Sequence, residues 1–354
     1  MFIGIDIGKT DFHCALLLEE KVASKSFPNN GKGFNQLAAW LRNRRVDGGH
    51  ACMEATGGWS EDLATFLHDH GYVVSIVNPS AVKAFGRSEL SRTKTDKADA
   101  ALLARFCAAH RPKPWIPPSP QERRLRQLVR RRGDLVATRA AESNRLEAPG
   151  TDAVRSSIEA SVAFLNEQIA EIEEQINHAI DDDPKLRKNR QLLESIPGIG
   201  TTSASSLIAE VQDMQQFESA RKLAAHAGLC PQIRQSGTSI HSSSLSPIGN
   251  RALKQIFFMP ALSAMRHNPT IIAFAQRLRD RGKRPLQIVV AVMHKLLVIA
   301  YGVLKSQRPF DPNMRLSRFP GHLDRAGEYP ANEVSWKRRI GPIAKNSRKT
   351  RFAA

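Results

Sequence analysis

The chain is short of the residues that stabilise several classes of small or secreted protein. Only four cysteines occur among its 354 residues, and no two of them form a CxxC pair. Neither a zinc knuckle nor a disulfide framework can therefore be read from the sequence. We expect a reducing compartment, the cytoplasm.

An uninterrupted hydrophobic run of transmembrane length is also missing. The most apolar stretch, 288–304, is slightly short for a membrane span and is interrupted by His294 and Lys295. Such a run is more typical of a buried helix than of a membrane segment. The sequence therefore predicts no membrane partner.

Acidic residues are few relative to basic ones. The chain has 52 Lys and Arg against 34 Asp and Glu, a net charge of +18 and a pI near 10.2. Its 41% hydrophobic and 24% charged residues are typical of a soluble globular protein, and its length allows two or three domains. The excess positive charge indicates a nucleic-acid partner or an anionic membrane surface.

The first 110 residues alternate between strand-like and helix-like patterns. Apolar stretches at 2–8, 12–18 and 21–27 predict three strands, and the amphipathic stretch 32–44 predicts a helix. Strand and helix patterns then alternate up to a helix at 97–109. This order indicates a mixed α/β sheet covered by helices.

Long helices follow a proline-rich connector. An Arg-rich helix is predicted at 120–146, and its basic face could contact a nucleic-acid backbone or simply face solvent. Residues 154–180 carry apolar side chains spaced alternately four and three apart, which is a heptad seam. The seam predicts pairing with another helix, either in a second subunit or in an intramolecular hairpin. From 184 to 306 the pattern is mainly helical.

Four carboxylates stand out in the first region. Asp6 interrupts an apolar strand, Glu54 lies near the end of another, and Asp96 and Asp99 share one face of a predicted helix. Each of them alone could be a solvated charge or could oppose a helix dipole, and Asp6 in GIDIGKT also fits the phosphate turn of an actin-like kinase. Together, four carboxylates without His or Cys fit a two-Mg²⁺ site for phosphoryl transfer.

Two motifs in the helical region could act on nucleic acid. The turn with Gly198 and Gly200 resembles a helix-hairpin-helix, in which backbone N–H groups hold a phosphate. The serine-rich stretch 236–246 is predicted to be a loop between helices. A nucleophilic serine there would need a base such as His241, or a metal, to activate it.

The motifs occur in an order that resembles the order of motifs in one protein family. GID-x-x-K, EATG, NP, KTD-x-x-DA, IPGIG, AGL-x-P and SG-x-S follow one another within about residues 1–310. In this the chain is similar to the insertion-sequence-110 family of transposases. The resemblance implies three regions: a ribonuclease-H-like (RuvC-type) DEDD domain at 1–147 that includes the Arg-rich helix 120–146, a coiled coil at 152–182, and a mainly helical C-terminal transposase domain at 184–310. The basic tail at 311–354 matches no motif of the family and is marked only by its charge.

The resemblance also implies a mechanism. Asp6, Glu54, Asp96 and Asp99 would form a DEDD quartet that binds two Mg²⁺ ions, and Ser236 would be a nucleophile that forms a transient covalent link to DNA. A structured bridge RNA would pair with donor and target DNA, so that the protein needs to recognise only shape and backbone. The quartet and the serine of one active site would come from different subunits of a dimer or tetramer that is held together by the coiled coil.

Basic side chains and backbone groups would hold the nucleic acid. The expected contacts are Lys94, Arg123, Arg124, Arg130, Arg131, Gly198, Gly200, Arg251 and Lys254. The tail would become ordered when it meets a polyanion. Two other functions stay open from the residues themselves: a DEDD nuclease that hydrolyses DNA with water, and a nucleic-acid-binding scaffold that does not cut.

Overall fold

The computed structural model describes residues 1–18, 21–55, 57–90, 95–211, 217–236, 240–246 and 248–312, and for residues 57, 233–236 and 240–243 it describes the backbone only. Within it the chain forms two compact units, Met1–Pro118 and Ser119 onward. Lys94 and the basic tail beyond residue 312 lie outside the described residues.

The first unit is built on a five-stranded mixed sheet. Its strands are β1 (Phe2–Ile7), β2 (Asp11–Leu18), β3 (Lys21–Pro28), β4 (His50–Glu54) and β5 (Val73–Val77), in the spatial order β3-β2-β1-β4-β5. β1 to β3 form an antiparallel meander, whereas β4 and β5 run parallel to β1. The mixed α/β prediction is confirmed.

Helices cover this sheet because its strands are apolar on both faces. They are α1 (Gly31–Arg42), α2 (Glu61–Asp69), α3 (Pro79–Ser88) and α4 (Asp96–His110), with a short 3₁₀ turn at Gly57–Ser60. The larger core joins Ile3, Ile5 and Phe12 of the sheet to Leu37 and Leu63 of the helices, all fully buried. The sequence analysis did not predict α3, which begins at an Asn78 cap followed by a proline.

Helix α4 lies unusually close to the central strand. A side chain at Gly4 would place its Cβ 2.0 Å from the Ala100 carbonyl oxygen and 2.2 Å from the Ala104 nitrogen. Because only glycine fits, α4 contacts the backbone of β1 directly, and Ala15, Ala100 and Ala104 form a small buried cluster there. This contact fixes the position of the helix that carries Asp96 and Asp99.

The second unit begins with a helical hairpin. Helices α5 (Pro120–Arg145) and α6 (Asp152–Asp181) run antiparallel. Arg132 bonds to Glu173, whereas Arg139, about two turns further along α5, bonds to Asn166, which is about two turns earlier in α6. The heptad seam of α6 packs on α5, with Leu165 and Ile169 buried against Leu135. The intramolecular hairpin alternative is therefore present, and the pairing of this seam with a second subunit stays a prediction.

The Arg-rich helix is grouped with this hairpin rather than with the sheet. The sequence analysis placed a domain boundary at 147, whereas the compact units divide between Pro118 and Ser119. The reason is that the apolar side of α5, including Leu125, is buried against α6 and the helices that follow. Ser119 and Glu122 form a capping box at the start of α5, so the helix begins directly after the connector.

The rest of the second unit is mainly helical, as predicted. Its helices are α7 (Pro184–Glu194), α8 (Thr201–Val211), α9 (Ala220–His226), α10 (Arg251–Ile256), α11 (Phe258–His267), α12 (Pro269–Asp280) and α13 (Pro285–Ser306). In length and composition α13 could cross a membrane, but 72% of its most apolar window is buried inside the unit. It is the only such helix among the described residues, and the prediction of a buried helix at 288–304 agrees with this.

The prediction that the serine-rich stretch is a loop is wrong in part. Strands β6 (Pro231–Ser236) and β7 (Ile240–Leu245) form an antiparallel hairpin in which Ser236 pairs with Ile240. Pairing satisfies the backbone N–H and C=O groups of this polar stretch, which explains why it is not an open loop. Ser236 thus stands at the end of a strand.

Candidate functional site

Two of the four predicted carboxylates lie side by side at one edge of the sheet. Ile5 of β1 pairs with Met53 of β4, so the next residues along these parallel strands, Asp6 and Glu54, are neighbours. Both side chains are half-buried. The parallel pairing therefore brings together two carboxylates that are 48 positions apart in the sequence.

The other two carboxylates occupy the first turn of α4. The Thr95 hydroxyl caps the helix by accepting a hydrogen bond from the Ala98 nitrogen at 3.2 Å, and Asp96 and Asp99 follow. Carboxylates in a first turn are stabilised by the helix dipole. Since α4 packs on β1 at Gly4, its first turn is held beside the end of the strand that carries Asp6.

The carboxylates influence one another through their charges. Burial, and then the negative charges of Asp99 and Asp96, raise the pKa of Asp6. Burial, and then the charge of Asp6, raise the pKa of Glu54, with a smaller contribution from Asp99. Half-buried carboxylates that repel one another in this way favour a proton or a bound cation.

The site contains two further residues that sequence reasoning missed. His13 pairs with Asp6 across β1 and β2, and its Nδ1 lies 3.8 Å from an Asp96 carboxylate oxygen. The charge of the exposed Lys83, on α3, lowers the pKa of Glu54. Counting across the tight turn after β1 could have found His13, because Ile7 and Phe12 are the pair nearest that turn. No local pattern marks Lys83.

The carboxylates suit a magnesium ion by their chemistry. All four offer oxygen ligands, which hard divalent cations prefer. A cation would offset both the burial and the repulsion that raise the pKa values of Asp6 and Glu54. Within the described part of the chain, no three Asp, Glu, His or Cys side chains lie close enough together to hold a metal ion in this arrangement.

The predicted nucleophile belongs to the other unit. Ser236 ends β6, in the unit that starts at Ser119, whereas the carboxylates belong to the unit that ends at Pro118. The structure describes the backbone of Ser236 at this strand end but not its side chain.

The residues predicted to contact nucleic acid differ in their exposure and in whether they pair with another residue of the chain. Arg124, Arg131 and Arg251 are exposed, and Arg123 is partly buried. Arg130 forms an ion pair with the Glu210 carboxylate, whose side chain is 6% exposed, at 3.3 Å. This pair links α5 to α8, so Arg130 has a structural partner within the chain.

Lys254 and Gly198 also have structural partners. The Lys254 ammonium donates a hydrogen bond to the Ser246 carbonyl at 3.4 Å, and burial lowers its pKa. Gly198 has φ +107°, and a Cβ there would lie 2.7 Å from that of Ala264 on α11. Only Gly200 in this turn leaves open space for a ligand, since a Cβ added there would meet no atom within 4 Å.

Comparison with known proteins identifies the family. A transposase model of the IS110 DEDD type matches residues 3–149, and a model described as "Transposase IS116/IS110/IS902 family" matches residues 190–276. The pilin gene-inverting protein of Moraxella bovis is 37% identical over 314 residues, which cover 88% of this chain and 97% of that protein. The chain belongs to the IS110 family of transposases.

Other relatives agree with this assignment. The 43.6 kDa protein of insertion element IS110 from Streptomyces coelicolor is 31% identical over 202 residues, which cover 54% of this chain and 49% of that protein. The transposase of insertion sequence IS1328 from Yersinia enterocolitica is 25% identical over 286 residues, 72% of this chain and 80% of that protein. As a family member this chain is a DNA-binding, DNA-processing transposase or recombinase.

Proposed function

We propose that this transposase excises and inserts a mobile DNA element by RNA-guided strand exchange, using a DEDD metal site and a serine nucleophile. The observation that carries the proposal is the placement of Asp6 beside Glu54 at one edge of the sheet, with Asp96 and Asp99 in the first turn of the helix that packs on the same strand. Burial, and then the charges of neighbouring carboxylates, raise the pKa values of Asp6 and Glu54. The strand order of the first unit supports the ribonuclease-H-like interpretation of that domain.

Asp6, Glu54, Asp96 and Asp99 would hold Mg²⁺, two ions in the proposed active state. Bound Mg²⁺ supplies positive charge at the phosphate and stabilises the attacking and leaving oxygens of a phosphoryl transfer. Lys83, whose charge acts on Glu54, would contact the incoming backbone. His13 would orient Asp96, which lies 3.8 Å from its Nδ1.

Ser236 would attack the phosphorus of a DNA strand. Its Oγ forms a bond to phosphorus as the bond to one sugar oxygen breaks, and that oxygen takes up a proton. The resulting ester keeps the energy of the phosphodiester bond, so a different strand can rejoin at the same phosphate by the reverse step. The family resemblance adds that the carboxylates and Ser236 of one active site come from different subunits, and this composite site is part of the proposal.

Recombination is favoured over simple hydrolysis by the Moraxella bovis relative. A protein named for inverting a gene must rejoin the strands that it cuts, whereas a nuclease that uses water releases free ends. The structured bridge RNA, which would pair with both DNA partners, is a proposal that follows from the family resemblance. The exposed Arg124 and Arg131 on α5 are suitable for its backbone.

The test is to trap a covalent protein–DNA adduct. Purified protein with its co-purifying RNA is mixed with labelled element-end DNA and Mg²⁺, denatured, and separated on a gel. We expect an adduct with wild type and none with Ser236→Ala or Asp96→Ala.

Two matched controls make the result specific. Ser239→Ala removes a neighbouring serine, and Asp69→Asn removes an exposed carboxylate of the same unit that is paired with His68; both should leave the adduct intact. If the DNA is cut without an adduct, and the cutting does not depend on Ser236, the protein is a DEDD nuclease rather than a recombinase. Binding of RNA and DNA without any cutting would indicate a scaffold.

A further inference from the structure

A half-open cavity with both polar and apolar side chains in its wall lies among three helices of the second unit. Its volume is about 220 Å³. The helix α8 lines it with four hydroxyl groups, α5 with Arg132, and α6 with Glu173 and Asn177; the hydroxyls are those of Thr201, Thr202, Ser205 and Ser206. Val129 and Ile176 form its apolar wall.

One of these hydroxyls is buried without a partner. Ser205 is 3% exposed, and its Oγ forms no hydrogen bond with any atom of the residues that the structure describes. A buried hydroxyl that is left unpaired costs about 1–3 kcal/mol. Because the same residue lines the cavity, a ligand bound there would satisfy the hydroxyl.

The cavity offers mostly hydrogen-bond donors. Arg132 contributes a guanidinium, and the Asn177 side-chain oxygen accepts from Arg190 at 3.1 Å, which leaves its NH₂ group as a donor. α8 also begins here, directly after Gly200, which has no side chain with which to cap the first-turn N–H groups. The positive end of the helix dipole therefore adds to the charge of Arg132.

Glu173 is the one carboxylate among the described residues that line the cavity, and it pairs with the Arg132 guanidinium. Glu173 Oε1 lies 2.6 Å from Arg132, in a charge-assisted hydrogen bond. An external anion would have to compete with this carboxylate for Arg132.

We propose that this cavity binds one phosphodiester group of a nucleic-acid backbone, with Arg132, Ser205 and the first turn of α8 as its donors. The volume is below the roughly 300 Å³ at which pockets for whole small molecules begin, so it suits a single tetrahedral anion with a few waters. The net charge of the chain, +18, attracts a polyanion to the protein and so to this half-open site. The inference rests on the proposed function only in taking nucleic acid as the source of the phosphate.

The direct test measures binding of dimethyl phosphate, a small phosphodiester, to the full-length protein by calorimetry. Hydrogen bonds to charged groups are worth about 1.5–3 kcal/mol, so Arg132→Gln should weaken binding by at least about tenfold. Ser205→Ala should also weaken it. Glu173→Gln should strengthen it, because the competing carboxylate charge is gone.

Two variants of the same hairpin serve as controls. Arg139→Gln removes one positive charge from α5 outside the cavity, and Glu174→Gln removes one negative charge from α6. Neither should change the affinity for dimethyl phosphate by more than twofold. Equal effects of Arg132→Gln and Arg139→Gln would show a diffuse electrostatic effect and would overturn the inference.

Ser205→Ala separates a binding role from a structural one. Without a ligand, removing an unpaired buried hydroxyl should leave the melting temperature unchanged or raise it, so weaker binding could not be ascribed to unfolding. A DNA duplex of scrambled sequence should displace the small phosphodiester. Binding that no DNA displaces would identify an inorganic-anion pocket and would overturn the assignment to nucleic acid.

The result of the phosphodiester-binding test does not depend on whether the protein carries out strand exchange. Loss of the covalent adduct in the recombination assay, with phosphodiester binding intact, would refute the proposed chemistry and leave this site in place. An intact adduct with no phosphodiester binding would do the reverse.

Discussion

Replacing Gly4 with alanine should disable the site without removing any of its side chains. The added Cβ would lie 2.0 Å from the Ala100 carbonyl oxygen and 2.2 Å from the Ala104 nitrogen, both backbone atoms of α4. Neither atom can rotate away, so α4 must move outward by about 1 Å or more to reach an ordinary contact distance.

The expected cost follows from this displacement. Overpacking of a well-packed core usually costs about 1–3 kcal/mol, so Gly4→Ala should lower the melting temperature but still fold. A displacement of about 1 Å in catalytic groups can cost about 10²-fold in rate. Since Asp96 and Asp99 move with α4 while Asp6 stays on β1, we expect about that loss in adduct formation.

The assay compares adduct yield and thermal unfolding for Gly4→Ala and Gly48→Ala. Gly48 has open space around it and lies in the same unit, so its alanine variant should behave like wild type. If Gly4→Ala were as stable and as active as Gly48→Ala, the argument that this glycine positions α4 would be wrong.

Two further predictions concern charge. Burial, together with the adjacent Lys295, lowers the pKa of His294 from 6.5 to about 4, so the unfolded state binds more protons than the folded state between those values. Stability should therefore fall as pH drops through this window, by at most about 3 kcal/mol for a shift of this size, and His294→Leu should flatten the dependence in denaturant unfolding. At neutral pH, Asp6→Asn should raise the melting temperature of the metal-free protein, because it removes an ionised carboxylate whose pKa is raised by burial and by Asp99. Added Mg²⁺ should then stabilise wild type more than the variant.

Each charge prediction has an outcome that contradicts it. An unchanged pH dependence in His294→Leu would show that the histidine is not held neutral in the folded state. The gain from Asp6→Asn should vanish below pH 3.8, where the aspartate is protonated in the unfolded state and more so in the folded one. A gain that persists there would have to come from packing rather than charge.

Much of the fold could be predicted because its signals are local. Apolar stretches marked β1 and β2, the amphipathic pattern marked α1, and heptad spacing marked α6. These periods follow from the geometry of a single element, so they need no knowledge of its neighbours. The hairpin of β6 and β7 was missed because serine-rich strands carry no apolar alternation, and pairing alone stabilises them.

The sequence by itself determined which four carboxylates were candidates for the site. It also determined the order of the family motifs and the net positive charge of the chain. Only the tertiary structure decided that His13 joins Asp6, that Arg130 is held by Glu210, that the α6 seam packs on α5, and that Ser205 faces a cavity. Each of these depends on contacts between residues far apart in the chain. Such contacts are set by strand register and helix packing, which no local period encodes.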